Sequence, residues 1–121
     1  MAFPQTNTVT VTTASDGSAT AYLNSVDTNG WRGRVVTIIY TKTDFSNGST
    51  FTITSEQTAQ NIWVESSVNA STSRQPGQVT HQTDGTALTV YDYLRLCGER
   101  IKIVIANGGN VKTGAFRVIV E

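Results

Sequence analysis

The feature that most constrains this chain is the period of its apolar residues. Val, Ile, Phe and Thr recur at every second position in short runs. No window sets apolar residues at i, i+3, i+4 and i+7 with good helix formers between them. Successive strand side chains point to opposite faces, so a period of two describes half-buried strands and argues against amphipathic helices. Residues 6–13 alternate Val9 and Val11 with Thr8, Thr10 and Thr12, as an edge strand does. Residues 19–23 form a weaker run. RVVTIIYTK at 34–42 is apolar on both faces at its centre and predicts a central strand covered on both sides. Further strands are expected at 51–54, 61–65, 87–93, 99–106 and 115–120, with a candidate at 78–82.

Turn residues punctuate these runs. Asp16-Gly17, Asn29-Gly30, Asn47-Gly48, Pro76-Gly77 and Asp84-Gly85 supply the backbone freedom that reversals need. The expectation is an all-β chain: one antiparallel β-sandwich over residues 1–121, jelly-roll-like, with about eight strands. Residues 1–12 read as an extended N-terminal arm and residues 66–85 as a long irregular loop.

Charge narrows the function. Nine basic and nine acidic residues give a net charge of +0, without the basic excess of a nucleic-acid binder. The nearest approach to a basic stripe is Trp31-Arg32-Gly33-Arg34, read as arginines flanking a strand start and facing solvent. No stretch nears the ~18 apolar residues of a membrane-spanning helix. The opening MAFPQTNTVTVTT lacks the basic and apolar regions of a secretory signal, so synthesis in a reducing cytoplasm is expected. Cys97 is the only cysteine, which excludes an internal disulfide and a cysteine zinc cluster. Beside Leu94 and Leu96 it reads as a half-buried structural thiol.

ANGGNVKTGAF at 106–116 looks like a phosphate cradle. A Walker loop needs Gly-Lys-Ser/Thr and a following helix whose first amides hold the phosphate. Here Val111 precedes Lys112, and a β-branched run follows. The expectation is a hairpin loop between two strong strands, with Gly114 permitting a bulge. His81 is the single histidine and has no nucleophile elbow to serve. Asp16, Asp27, Asp44 and Asp84 lie in turns, where calcium finds oxygen ligands, but they lack Asp-x-Asp-x-Asp spacing. Catalytic, metal and cofactor residues are therefore expected to be absent, and the chain is read as a non-enzyme. Trp31, Trp63, Tyr40, Tyr91 and Tyr93 are the aromatics for a sugar-stacking platform. Trp63 is read as core and Trp31, beside Gly30, as the exposed one.

The opening MAFPQTNTVTVTTASDGSATAY, the segment VVTIIYTKTDFSNGSTFTITSE and the ending ERIKIVIANGGNVKTGAFRVIVE together resemble small β-rich virion proteins of tailed bacteriophages, the capsid cement or decoration proteins. The resemblance covers most of the chain and is one of pattern. It implies a jelly-roll or related sandwich on the capsid exterior, bridging major capsid subunits as a homo-oligomer, frequently a trimer. It implies no cofactor and no chemistry, and neither nucleic acid nor membrane is expected as a partner. A neck or tail component and a small carbohydrate-binding module are the alternatives. The candidate interface residues are Phe3, Pro4, Val9 and Val11 of the arm, Trp31 and Arg32, Arg74 of the irregular stretch, and Lys112 at the 106–116 loop tip.

Overall fold

The computed structural model describes residues 4–26 and 30–121. Eleven strands account for the regular structure: β1 (Gln5–Thr12), β2 (Ala19–Leu23), β3 (Trp31–Lys42), β4 (Ser49–Ser55), β5 (Asn61–Val68), β6 (Thr72–Arg74), β7 (Gly77–His81), β8 (Ala87–Tyr93), β9 (Arg95–Glu99), β10 (Ile101–Ala106) and β11 (Thr113–Val120). One sheet runs β1-β11-β3-β6, with β9 also on β3, and a second runs β2-β10-β4-β5. Strands β7 and β8 pair only with each other. All pairings are antiparallel. β1 pairs with β11, β2 with β10, β3 with β6 and β4 with β5. Early strands thus pair with late ones, and both sheets are built from segments far apart in the chain.

The period of two builds the core as expected. Phe51 and Ile53 of β4, Ile101, Ile103 and Ile105 of β10, and Phe116 of β11 are fully buried, and both sheets contribute to one apolar cluster. Tyr40 lies at its centre. Its ring centroid is 4.8 Å from that of Phe51, 5.2 Å from Phe116 and 5.9 Å from Phe45. Trp63 packs edge-on to Phe51 at 5.2 Å and is a core residue as expected, although Ile62 beside it is buried too.

Four expectations change. First, the strand expected at 99–106 is present as β10, but residues 95–99 before it, where no strand was expected, form β9 in the other sheet. β9 pairs with β3 in the first sheet and β10 with β2 and β4 in the second, and the chain crosses between them at Arg100. Gly98 takes a φ of 75° beside a register shift between Trp31 and Arg32, a bulge that redirects the strand. Second, β10 and β11 do not form a hairpin, because the 106–116 loop carries the chain from one sheet to the other. Third, Trp31 is not exposed. It begins β3 at 0% exposure, and its indole N–H donates to the Leu23 carbonyl at 2.9 Å. Gly30 makes this possible, since a Cβ there would lie 2.6 Å from the Gly98 carbonyl carbon. Fourth, β3 is central, but Val36 and Ile39 on its outer face are only half-buried. The 66–85 stretch is more regular than expected: it holds the end of β5, all of β6 and β7.

Candidate interaction surface

The 106–116 loop has its backbone groups committed within the protein. The Gly108 amide donates to the Gly17 carbonyl at 2.9 Å, and the Gly108 carbonyl accepts from the Ser46 amide at 2.9 Å. The Thr13 hydroxyl donates to the Gly109 carbonyl at 2.6 Å and accepts from the Lys112 amide at 2.9 Å. The loop therefore ties the turn after β1 to the sheet crossing. Gly114 makes no bulge. It is buried, and a Cβ there would lie 2.8 Å from Phe45 and 2.9 Å from Tyr40.

The turn aspartates hold their own turns. Asp16 accepts from the Ser18 amide at 3.0 Å and Asp84 from the Thr86 amide at 3.0 Å. Those bonds, with the Ser18 hydroxyl first at Asp16 and the Thr86 amide first at Asp84, hold both carboxyls below their usual range. Asp44 accepts from the Thr113 amide at 2.5 Å, and Asp27 lies outside the described residues. Among the described residues, no three of His, Cys, Asp and Glu converge. Glu99 is buried and structural. Its carboxylate accepts from the amides of Gln57 and Thr58 at 3.1 and 3.2 Å, capping the turn after β4. Burial, with Asp44 second, pushes the Tyr40 hydroxyl up to about 12, so it stays neutral.

The candidate interface residues do not converge. Val11 is buried at 3% exposure and Val9 packs against the core, because β1 pairs with β11 over its whole length. Residues 5–12 are thus the rim of a sheet rather than a free arm. Pro4 is exposed, and Phe3 lies outside the described residues. Arg74 is engaged: its guanidinium grips Glu65 through two bonds of 2.8 Å and lies 5.3 Å over the Trp63 ring. Lys112 is half-buried and Arg32 is exposed. Cys97 is exposed rather than half-buried, because it lies on the outer face of the β3–β9 ladder while Leu96 points inward.

The feature that sequence alone did not single out is the β7–β8 hairpin. It leaves the sandwich after β6 and returns at Leu94, whose carbonyl accepts from the Val35 amide at 2.8 Å. Every residue of β8 is exposed. Tyr91 (72%), Val90 (61%), Tyr93 (43%) and Leu88 (36%) are four of the large apolar side chains left in solvent. Tyr91 and Tyr93 share one face with Val79 and Gly77, by the pairs Val79↔Tyr91 and Gly77↔Tyr93. Val90 and Asp92, which flank Tyr91, take the other, and the ladder shifts register between Tyr91 and Ala87. Gly77 leaves a notch opposite Tyr93, part of an open groove of about 370 Å³ lined by Gln75, Pro76, Gly77, Tyr91, Asp92 and Tyr93. At the hairpin base, Arg34 lies 5.2 Å over the Tyr93 ring and Arg95 meets Asp92 at 3.3 Å. A two-stranded ribbon is marginal in water. Contiguous exposed Tyr, Val and Leu with Arg beside them is the composition of a binding surface. Its signal in the sequence was ALTVYDY, whose apolar residues occupy both faces of one strand.

Comparison with known proteins returns no match: no protein-family model, curated protein or solved structure matches the chain.

Proposed function

We propose that this chain is a structural virion protein without catalytic role or cofactor. It acts as a decoration protein on the capsid exterior of a tailed phage, bridging major capsid subunits through the β7–β8 hairpin. The observation that carries the reading is the contrast between a closed sandwich and a hairpin that leaves Leu88, Val90, Tyr91 and Tyr93 uncovered. The sequence resemblance supplies the setting. A repeating lattice multiplies weak contacts, so a small apolar hairpin suffices at each position. Quantitative mass spectrometry of purified particles tests this by counting the chain against the major capsid protein. A sizeable fraction of one-to-one is expected. About a dozen copies would assign it to the neck or tail, and absence from particles would overturn the virion reading.

A second reading has its own support. Tyr91 and Tyr93 beside the groove form the aromatic platform that buried Trp31 cannot. Loss of glycan-induced tyrosine fluorescence changes in Tyr91→Ala would favour a carbohydrate-binding module.

A further inference from the structure

We propose that the tyrosine face of the β7–β8 hairpin is covered by the same face of a second copy of this chain, the two hairpins running antiparallel about a two-fold axis. This rests on reading the hairpin as an interface, and it leaves the Val90 face free for the lattice. The argument begins with the distribution of charge along the hairpin. The tip is acidic: Asp84 is its charged group, with His81 on the neighbouring strand. The base is basic. Arg34 and Arg95 stand directly opposite each other on the β3–β9 ladder, and Arg32 follows, opposite Cys97. Like charges directly opposed across a ladder are unfavourable.

The carboxylates facing that base are Asp92, paired with Arg95, and Glu121, whose backbone exchanges hydrogen bonds with Arg34 on the other side. Arginines still outnumber them three to two, and Arg32 has no ion pair among the described residues. A second hairpin laid antiparallel brings its Asp84 to this base and receives the first copy's Asp84 at its own. In a two-fold contact each such interaction occurs twice.

Length and shape agree with this arrangement. The seven residues of β8 span roughly 20 Å at ~3.4 Å each, so two hairpins crossing at their midpoints bring tip against base. Arg34, Tyr93 and Tyr91 share the contact, and the notch above Gly77 receives the tip side of the other hairpin. The net charge of +0 means that two copies do not repel as whole molecules.

Sedimentation velocity of the intact chain across micromolar to millimolar concentrations tests the proposal. A reversible monomer–dimer equilibrium is expected. Tyr91→Ser, at a position 72% exposed and thus neutral for folding, weakens the dimer about 30-fold, as an interface anchor does. Val90→Ser, on the opposite face, leaves it unchanged. Asp84→Lys weakens the dimer about tenfold, and adding Arg34→Glu restores it, since the reversed charges meet again only between identical copies. Circular dichroism checks that each variant is folded. A monomer at every concentration, a dimer indifferent to Tyr91→Ser, or no recovery in the double variant would each overturn the pairing. So would a mass of three chains, which would replace the two-fold contact by a ring. Particle copy number is read separately: a monomer abundant on particles defeats this inference alone, and a dimer absent from particles defeats the virion reading alone.

Discussion

Gly114→Ala should destabilise the protein, although replacing glycine in a strand usually helps. The usual gain is about 0.4–1 kcal/mol, from a less flexible unfolded chain. At Gly114 the added methyl would lie 2.8 Å from Phe45 Cε2 and 2.9 Å from Tyr40 Cε1. Neither ring has room to retreat. Both are buried at 1% exposure, and Tyr40 is packed against Phe45, Phe51 and Phe116 at once. Overpacking of a core of this kind costs about 1–3 kcal/mol. The net effect is a loss of about 1–2 kcal/mol, or a fall of about 0.5–1 M in the urea midpoint. The control is the same substitution in a Phe45→Ala background, where the vacated ring space accepts the methyl and the loss shrinks or reverses. Equilibrium urea unfolding of the four proteins reads both effects. A rise in stability for Gly114→Ala alone, or an equal loss in both backgrounds, would refute the packing argument.

Glu65 predicts an acid sensitivity. Its bonds with Arg74, then with Trp63, hold its carboxyl below the usual value in the folded state. The stabilisation is therefore complete above the unfolded-state value of about 4.3 and disappears as pH falls through the lowered folded value. With side-chain exposures of 34% for Glu65 and 40% for Arg74, the contribution stays below about 1 kcal/mol; Glu65→Gln should flatten the acid limb of a thermal-melt-versus-pH curve, and an unchanged limb would contradict it. Cys97, exposed on the β3–β9 ladder, should react stoichiometrically with a thiol reagent in the native protein, whereas a reaction that needs denaturant would place it inside. Replacing the β7–β8 hairpin by a short glycine linker between Pro76 and Leu94 should leave the sandwich folded with a cooperative thermal transition, because no core residue lies in that segment. Loss of the transition would make the hairpin part of the fold.

The strands that close the core were legible because their alternation is a direct image of burial. Phe51, Ile53 and the isoleucines of β10 fall on the inward face by counting in twos. Trp31 was misplaced because its neighbour Gly30 reads as turn chemistry. The glycine is there to bring two backbones together at Gly98, and that approach exists only after β3 and β9 have paired. β9 was hidden for a related reason: a bulge at Gly98 breaks the alternation of RLCGE, so the segment gives no strand signal of its own. The assumed β10–β11 hairpin fails on topology. Two strong strands around a glycine loop give the same local signal whether they are neighbours in one sheet or partners across a sandwich.

The hairpin marks where pattern stops being informative. Alternation says which residues share a face, and it is silent on whether anything covers that face. ALTVYDY is as good a strand as any in the core, yet all of it is exposed. The rest of the molecule shows how the chain treats its other loose ends. The Gln60 amide donates to the Arg95 carbonyl at 3.0 Å on the outer edge of β9. Arg74 clasps Glu65 where β6 faces β5. Thr13 knots the crossover loop. Edges are a liability that folded proteins close or charge. A sequence that closes these edges with specific polar side chains and leaves two tyrosines, a valine and a leucine uncovered on one ribbon has not run out of means to cover them. On the reading proposed above, the covering surface belongs to another molecule, and the sandwich is the base that presents the ribbon to it.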